Sequence, residues 1–146
     1  MKSMLKDKLQ EAADGRKCPL AVIMKDGKIL TGLRHYRKDL AAWTVPGGRS
    51  EIGETLEQAL RREVREEVNI DNLRIIDFIG EHPGAREGDT VFMFLCTTSQ
   101  EPELMEPEKF SEWRWLTKDE YIHNKAYAGF SPSARKMVTD FLEGRG

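Results

Sequence analysis

The stretch from Trp43 to Val68 constrains this chain more than any other. Trp43-Thr44-Val45 reads as a short strand stopped by Pro46-Gly47-Gly48. A polar loop follows, and Thr55 then starts a helix over residues 55–68. Thr55 is placed to cap it, and Gln58 three residues later completes a capping box. Leu56, Ala59, Leu60, Val64 and Val68 recur at spacings of three and four, so one stripe of the helix is apolar and must lie against other elements. The opposite side carries Glu63, Glu66 and Glu67. Glu63 and Glu67 project one turn apart from one face, with Glu66 flanking it.

Like-charged neighbours on a helix repel by a few tenths of a kcal/mol per exposed pair. A cation beside them would remove that cost, and an oxygen-rich set suits hard ions such as magnesium or manganese. A solvated helix laced by Glu57–Arg61 and Arg62–Glu66 pairs accounts for the same charges, so the helix alone does not decide between the two. Gly47-Gly48 is equally open: a plain turn after a strand, or backbone kept bare so that it can approach a ligand.

Around this segment the pattern is mixed. Residues 3–13 place Met4, Leu5, Leu9 and Ala12 at helical spacing. Leu20 to Met24 and Ile29 to Leu33 flank Asp26-Gly27, a strong hairpin signal. Residues 36–42 read as a polar loop, Leu73 to Ile79 and Val91 to Thr97 as strands, and Trp113 to Leu116 as a last strand. Lys118 to His123 and Ser133 to Leu142 read as closing helices. Without regular βαβ alternation the class is α+β.

The chain has 146 residues, enough for one domain with one core. A net charge of −2 provides no basic face for a nucleic-acid polymer, yet leaves a free nucleotide open as a substrate. Cys18 and Cys96 are far apart and form no metal- or disulfide-like pair, so both are expected to be reduced packing residues. There is no apolar run long enough for a membrane span and no signal-peptide pattern, so a cytoplasmic location is the expectation.

Gly48, five residues, Glu54, seven residues and Arg62-Glu63-Val64-Arg65-Glu66-Glu67-Val68-Asn69-Ile70 resemble the Nudix box. The one departure is Asn69, where that pattern has glycine; asparagine is the residue that next best tolerates a left-handed helix end. The resemblance runs from the hairpin near Ala21 to about Trp115. Met105-Glu106-Pro107-Glu108-Lys109 with Trp113-Arg114-Trp115-Leu116 is similar to a segment of MutT-like enzymes that act on nucleoside triphosphates.

The resemblance implies a Nudix-like α/β/α sandwich with a mixed sheet, one domain over 1–146, and the box at 48–70. It implies Glu63 and Glu67 as main metal ligands, Glu66 as a further ligand, direct or through water, and the Gly47 carbonyl as a backbone ligand. Arg62 and Glu54 would orient those carboxylates. Two or more Mg2+ ions, or Mn2+ in their place, would assist attack of water on a diphosphate. A (deoxy)nucleoside triphosphate would then give monophosphate and pyrophosphate. Dinucleoside polyphosphates, nucleotide sugars, other diphosphates and an inactive nucleotide-binding module remain rival readings. The general base lies among Glu67, Glu106, Glu108 and Glu112, with Glu108 preferred. Arg34, Gly48, Arg49, Phe110 and Trp113 are expected at the substrate. Trp113 and Trp115 share one strand face, so both pack inward or both border the site. His35, His82 and His123 show no ligand-like spacing. Relatives are often dimers, which leaves a homodimer as an expectation.

Overall fold

The computed structural model describes residues 2–37, 40–84, 86–123 and 132–144. In chain order the elements are α1 (Lys2–Leu9), β1 (Lys17–Lys25), β2 (Lys28–Arg37), β3 (Leu40–Thr44), α2 (Leu56–Val68), β4 (Arg74–Pro83), β5 (Thr90–Thr97), β6 (Phe110–Thr117), α3 (Lys118–His123) and α4 (Pro132–Gly144). The strands form one sheet in the order β3-β2-β1-β5-β4, with β6 also paired to β2. β1 and β5 run parallel, from Lys17 beside Thr90 to Met24 beside Thr97, and the other pairings are antiparallel. The α+β class with a mixed sheet is therefore observed.

Side-chain alternation builds the two faces. Ala21, Ile23, Leu30, Phe92, Phe94 and Cys96 point to one side, where Leu56, Leu60, Val64 and Val68 of α2 close a buried cluster with Ile70 and Leu73. Val22, Ile29, Met93, Leu95 and Leu116 point to the other, where Tyr121 of α3 and Val138 and Leu142 of α4 cover them. β1 and β5 are buried on both faces, which is why they read as unbroken apolar runs. Each fully buried Leu or Val of α2 contributes about 1.5–3 kcal/mol. Among the described residues no helix is long and apolar enough to cross a membrane.

The sheet opens where the site will lie. Lys28 pairs with both Lys25 of β1 and Thr117 of β6, and Gly32 pairs with both Thr44 of β3 and Trp113 of β6. β1 and β3 thus follow one another along the same edge of β2. β1 leaves that edge after two residue pairs, and its own freed edge is taken by the chain after β3. The Ala21 amide donates to the Pro46 carbonyl (2.7 Å), Leu20 bridges Gly47, and the Gly48 amide donates to the Pro19 carbonyl (3.1 Å).

Asp26 and Gly27 have φ of 53° and 76°, the left-handed pair that a tight hairpin turn requires. The helix expected over 3–13 ends at Leu9, because the next residues are taken by α2: the Leu56 amide donates to the Glu11 carbonyl and the Ala13 amide to the Glu54 carbonyl. The polar loop expected over 36–42 is largely strand, since β2 continues to Arg37 and β3 starts at Leu40; Lys38 and Asp39 lie outside the described residues.

Candidate active site

The helix that carries the acidic face is fixed at both ends. The Thr55 hydroxyl accepts from the Gln58 amide while the Gln58 side chain accepts from the Thr55 amide, the reciprocal cap expected from sequence. At the other end Asn69 adopts φ 56° and ψ 38°, the left-handed conformation in which asparagine can stand for glycine. The apolar stripe turns α2 toward β1, so its acidic flank meets the Pro46-Gly47-Gly48 segment lying on the edge of β1.

There Glu67 is buried, 3% exposed, and its carboxylate accepts a hydrogen bond from the Gly47 amide at 3.0 Å. Gly47 sits at φ 141°, a region open to glycine, and a Cβ there would run into the Pro19 carbonyl. A Cβ on Gly48 would stand 2.7 Å from Oε2 of Glu63. The bare backbone of Gly48 is therefore what lets the Glu63 carboxylate approach, while Gly47 is glycine because β1 lies against it.

Arg62 organises the rest. It donates to both Glu54 oxygens, from Nε at 2.7 Å and Nη2 at 3.0 Å, and from Nη1 to Glu63 at 3.1 Å and Glu66 at 3.2 Å. Its Nη2 also reaches the Arg49 carbonyl at 3.3 Å. The Arg62 hydrogen bond holds Glu54 below the usual carboxylate range. Burial acts oppositely on the other two acids. It raises Glu63 despite the pull of Arg62, and it pushes Glu67 up to about 8, with Glu63 and Glu106 pushing further and the Gly47 amide and Arg34 pulling back.

A buried carboxylate with one amide donor and two acidic neighbours suits a hard cation, which would repay its desolvation. Among the described residues no three acidic, His or Cys side chains close on one point as a finished cage. The donors at hand are Glu63, Glu67 and glycine backbone, a set that leaves positions for water and phosphate oxygens, as magnesium prefers. Glu66 is turned outward: its side chain is 52% exposed and tied to Arg62.

The second wall comes from β2 and β6. Leu30, Gly32 and Arg34 alternate onto the α2 side, and Trp113 lies flat over Gly32, whose Cβ would have met the indole at 2.6 Å. An irregularity in the β2–β6 pairing between Gly32 and Arg34 brings Phe110 and Trp113 to a ring separation of 4.5 Å. Arg34 sits 5.0 Å from the centre of the Tyr36 ring and 5.6 Å from that of Phe110. Nε of Arg34 and Nε1 of Trp113 are buried donors with no acceptor. Such groups are costly unless something else accepts from them.

Several expected residues are placed differently. Arg49 does not turn toward these groups: it donates to both oxygens of Asp89, at 3.0 and 2.6 Å, and to the Gly15 carbonyl at 2.7 Å. Phe110 is 1% exposed, so its faces are spent on Trp113 and Arg34 rather than offered for stacking. Trp115 packs into the α2-side core and donates to Glu101 at 2.9 Å, and Trp113 packs beside it. Glu108 is exposed, and Glu112 pairs with Arg114. The loop carboxylate whose charge raises Glu67 is Glu106, and the Lys109 ammonium correspondingly steadies Glu63. Lys109 and Tyr36 were not singled out from sequence. The alternation of acid and base in Glu106-Pro107-Glu108-Lys109 was the available signal for the first; nothing local marked the second.

The family model for the NUDIX domain matches residues 17–141. The chain belongs to the Nudix hydrolase family. A MutT-like protein of Streptomyces ambofaciens is 33% identical over 105 residues, 72% of this Nudix chain and 65% of that one. An NAD-capped RNA hydrolase NudC of Haemophilus influenzae is 30% identical over 112 residues, 75% of this chain and 40% of that protein. The chain spans 29% of the corresponding Vibrio atlanticus hydrolase. Among solved structures, the MutT protein of Methanosarcina mazei Go1 superposes with a TM-score of 0.71 at 19% identity, over 94% of this chain and 98% of that one, a likeness of fold. The α/β/α sandwich of the Nudix fold is thus shared, and the matched region contains the stretch Gly48–Ile70 that resembles the Nudix box.

Proposed function

We propose that the protein is a divalent-metal-dependent hydrolase of a diphosphate linkage in a nucleotide, with a (deoxy)nucleoside triphosphate as substrate and the monophosphate and pyrophosphate as products. The observation that carries this reading is the buried Glu67 carboxylate, held by one glycine amide and pressed by Glu63 and Glu106. Glu63 and Glu67 would hold Mg2+, or Mn2+ in its place, together with the Gly47 carbonyl; Glu66 would act through water. When bound, the cation supplies Lewis acidity toward the phosphate oxygens and the attacking water.

The remaining work falls to the chain. Arg62 keeps Glu63 in place while Glu54 keeps Arg62 in place. Water forms a bond to phosphorus, the bridging P–O bond breaks, and pyrophosphate leaves with that electron pair. Glu106, facing Glu67 from the loop, takes the proton from the water, in place of the exposed Glu108 that the sequence favours. The unpartnered Arg34 Nε–H donates to a phosphate oxygen, and the Trp113 indole N–H to an acceptor on the nucleoside.

A second reading, cleavage of a dinucleotide diphosphate such as NAD, is favoured by the matches to NAD-capped RNA hydrolases. A panel of canonical and oxidised nucleoside triphosphates, NAD, dinucleoside polyphosphates and nucleotide sugars, each with Mg2+ and with Mn2+, separates the readings by kcat/KM. A triphosphate is expected to lead. Preference for NAD would transfer the assignment to the second reading, and no cleavage of any member with either ion would overturn both.

A further inference from the structure

Asn69 stands where the box pattern has glycine, and its backbone needs nothing more than glycine would supply. It is left-handed, and its amide closes α2 by donating to the Arg65 carbonyl at 3.0 Å. What asparagine adds is a side chain. Its Nδ2 donates to Oε2 of Glu103 at 2.7 Å, and the Glu103 amide donates to the Val68 carbonyl at 2.9 Å. The loop is thereby docked onto the end of α2 two residues beyond Glu67.

From Glu103 the chain crosses exposed Leu104 and Met105 to Glu106. It is caught again on the far side, where the Glu106 carbonyl accepts from the Lys109 and Phe110 amides (2.9 and 3.0 Å) and the Lys109 carbonyl accepts from the His35 amide (2.8 Å). Residues 104–109 form a short bridge held at two ends, on which Glu106 pairs with Lys109 at 3.4 Å and lies beside Glu67. We infer that Asn69 and Glu103 form a pin that sets the position of this loop, making both positioning residues for the reaction. The inference rests on the proposed role of Glu106.

Asn69→Gly tests it, because glycine keeps the left-handed cap and deletes only the amide. The melting temperature should move by no more than about 3 °C. Hydrogen exchange at the Lys109 and Phe110 amides should accelerate about tenfold, the scale of one hydrogen bond. kcat on the substrate the panel selects should fall about three- to tenfold with KM nearly unchanged. Glu103→Ala should match it, the double variant should be no worse, and Glu103→Gln, which keeps an acceptor, should restore wild-type behaviour. Unchanged exchange in Asn69→Gly, additive losses in the double variant, or faster exchange with an undiminished kcat would each overturn the inference. Should the wild-type protein cleave no diphosphate, the functional reading fails, and the exchange data still decide whether the pin holds the loop.

Discussion

The box and the loop over residues 103–110 face each other across the same carboxylates but are built differently. In the box one side chain gathers the others: Arg62 alone touches Glu54, Glu63, Glu66 and the Arg49 carbonyl. The loop is held at its ends and exposes Leu104 and Met105 between them. Holding a cation and accepting a proton, the roles proposed for these two regions, are different demands. A carboxylate that holds a cation tolerates less misplacement than a proton acceptor on a loop, so the many contacts of Arg62 and the pin at Asn69–Glu103 suit the roles proposed for each.

The contrast breaks first at Glu67. Glu67→Gln keeps the shape and the bond from Gly47 but removes the charge, and should lower kcat more than about a hundredfold, beyond what outer partners of a metal site cost; a steady-state assay at saturating Mg2+ reads it. Gly48→Ala comes next. The added methyl meets the Glu63 carboxylate, and turnover should fall about 10- to 100-fold while circular dichroism reports an intact fold. Arg62→Lys keeps the charge but loses the two-pronged grip on Glu54. About a tenfold loss is expected, seen as weaker Mg2+ binding in calorimetry.

The next effect is on stability. Burial pushes Glu67 of the folded, metal-free protein up to about 8, from an ordinary value of 4.5. A raised acid favours the folded state when protonated. That contribution is complete below the unfolded value and is lost as pH rises through the folded one. Chelated protein should therefore melt lower at pH 9 than at pH 6, and Glu67→Gln should flatten the difference. The smallest effect on catalysis is predicted for Arg49→Ala. Its guanidinium is committed to Asp89 and Gly15, so kcat should change less than about threefold while the melting temperature falls. A large catalytic loss there would return Arg49 to the substrate.

What was legible in the sequence was what the backbone decides within a few residues. The Thr55–Gln58 cap, the Asp26-Gly27 turn and the left-handed Asn69 were all readable because each depends on its immediate neighbours. The resemblance to the box was readable because Gly48 and Glu54 stand at fixed distances from Glu63 and Glu67, which the helix alone did not decide. The misplacements involve partners far along the chain. Arg49 is claimed by Asp89 forty residues on. Phe110 is buried by an irregular pairing with β2. α1 stops at Leu9 because Glu11 and Ala13 serve the start of α2. Glu106 and Glu108 look alike in sequence, and only the folded loop distinguishes them, turning Glu106 toward Lys109 and Glu67 and leaving Glu108 exposed.

The most direct test is phosphorus NMR of a nucleoside triphosphate incubated with the protein, in Mg2+ and again in excess chelator. The account predicts paired resonances of monophosphate and pyrophosphate that grow only with the metal and vanish in Glu67→Gln. Orthophosphate as the first product, or cleavage that persists in chelator, would contradict it.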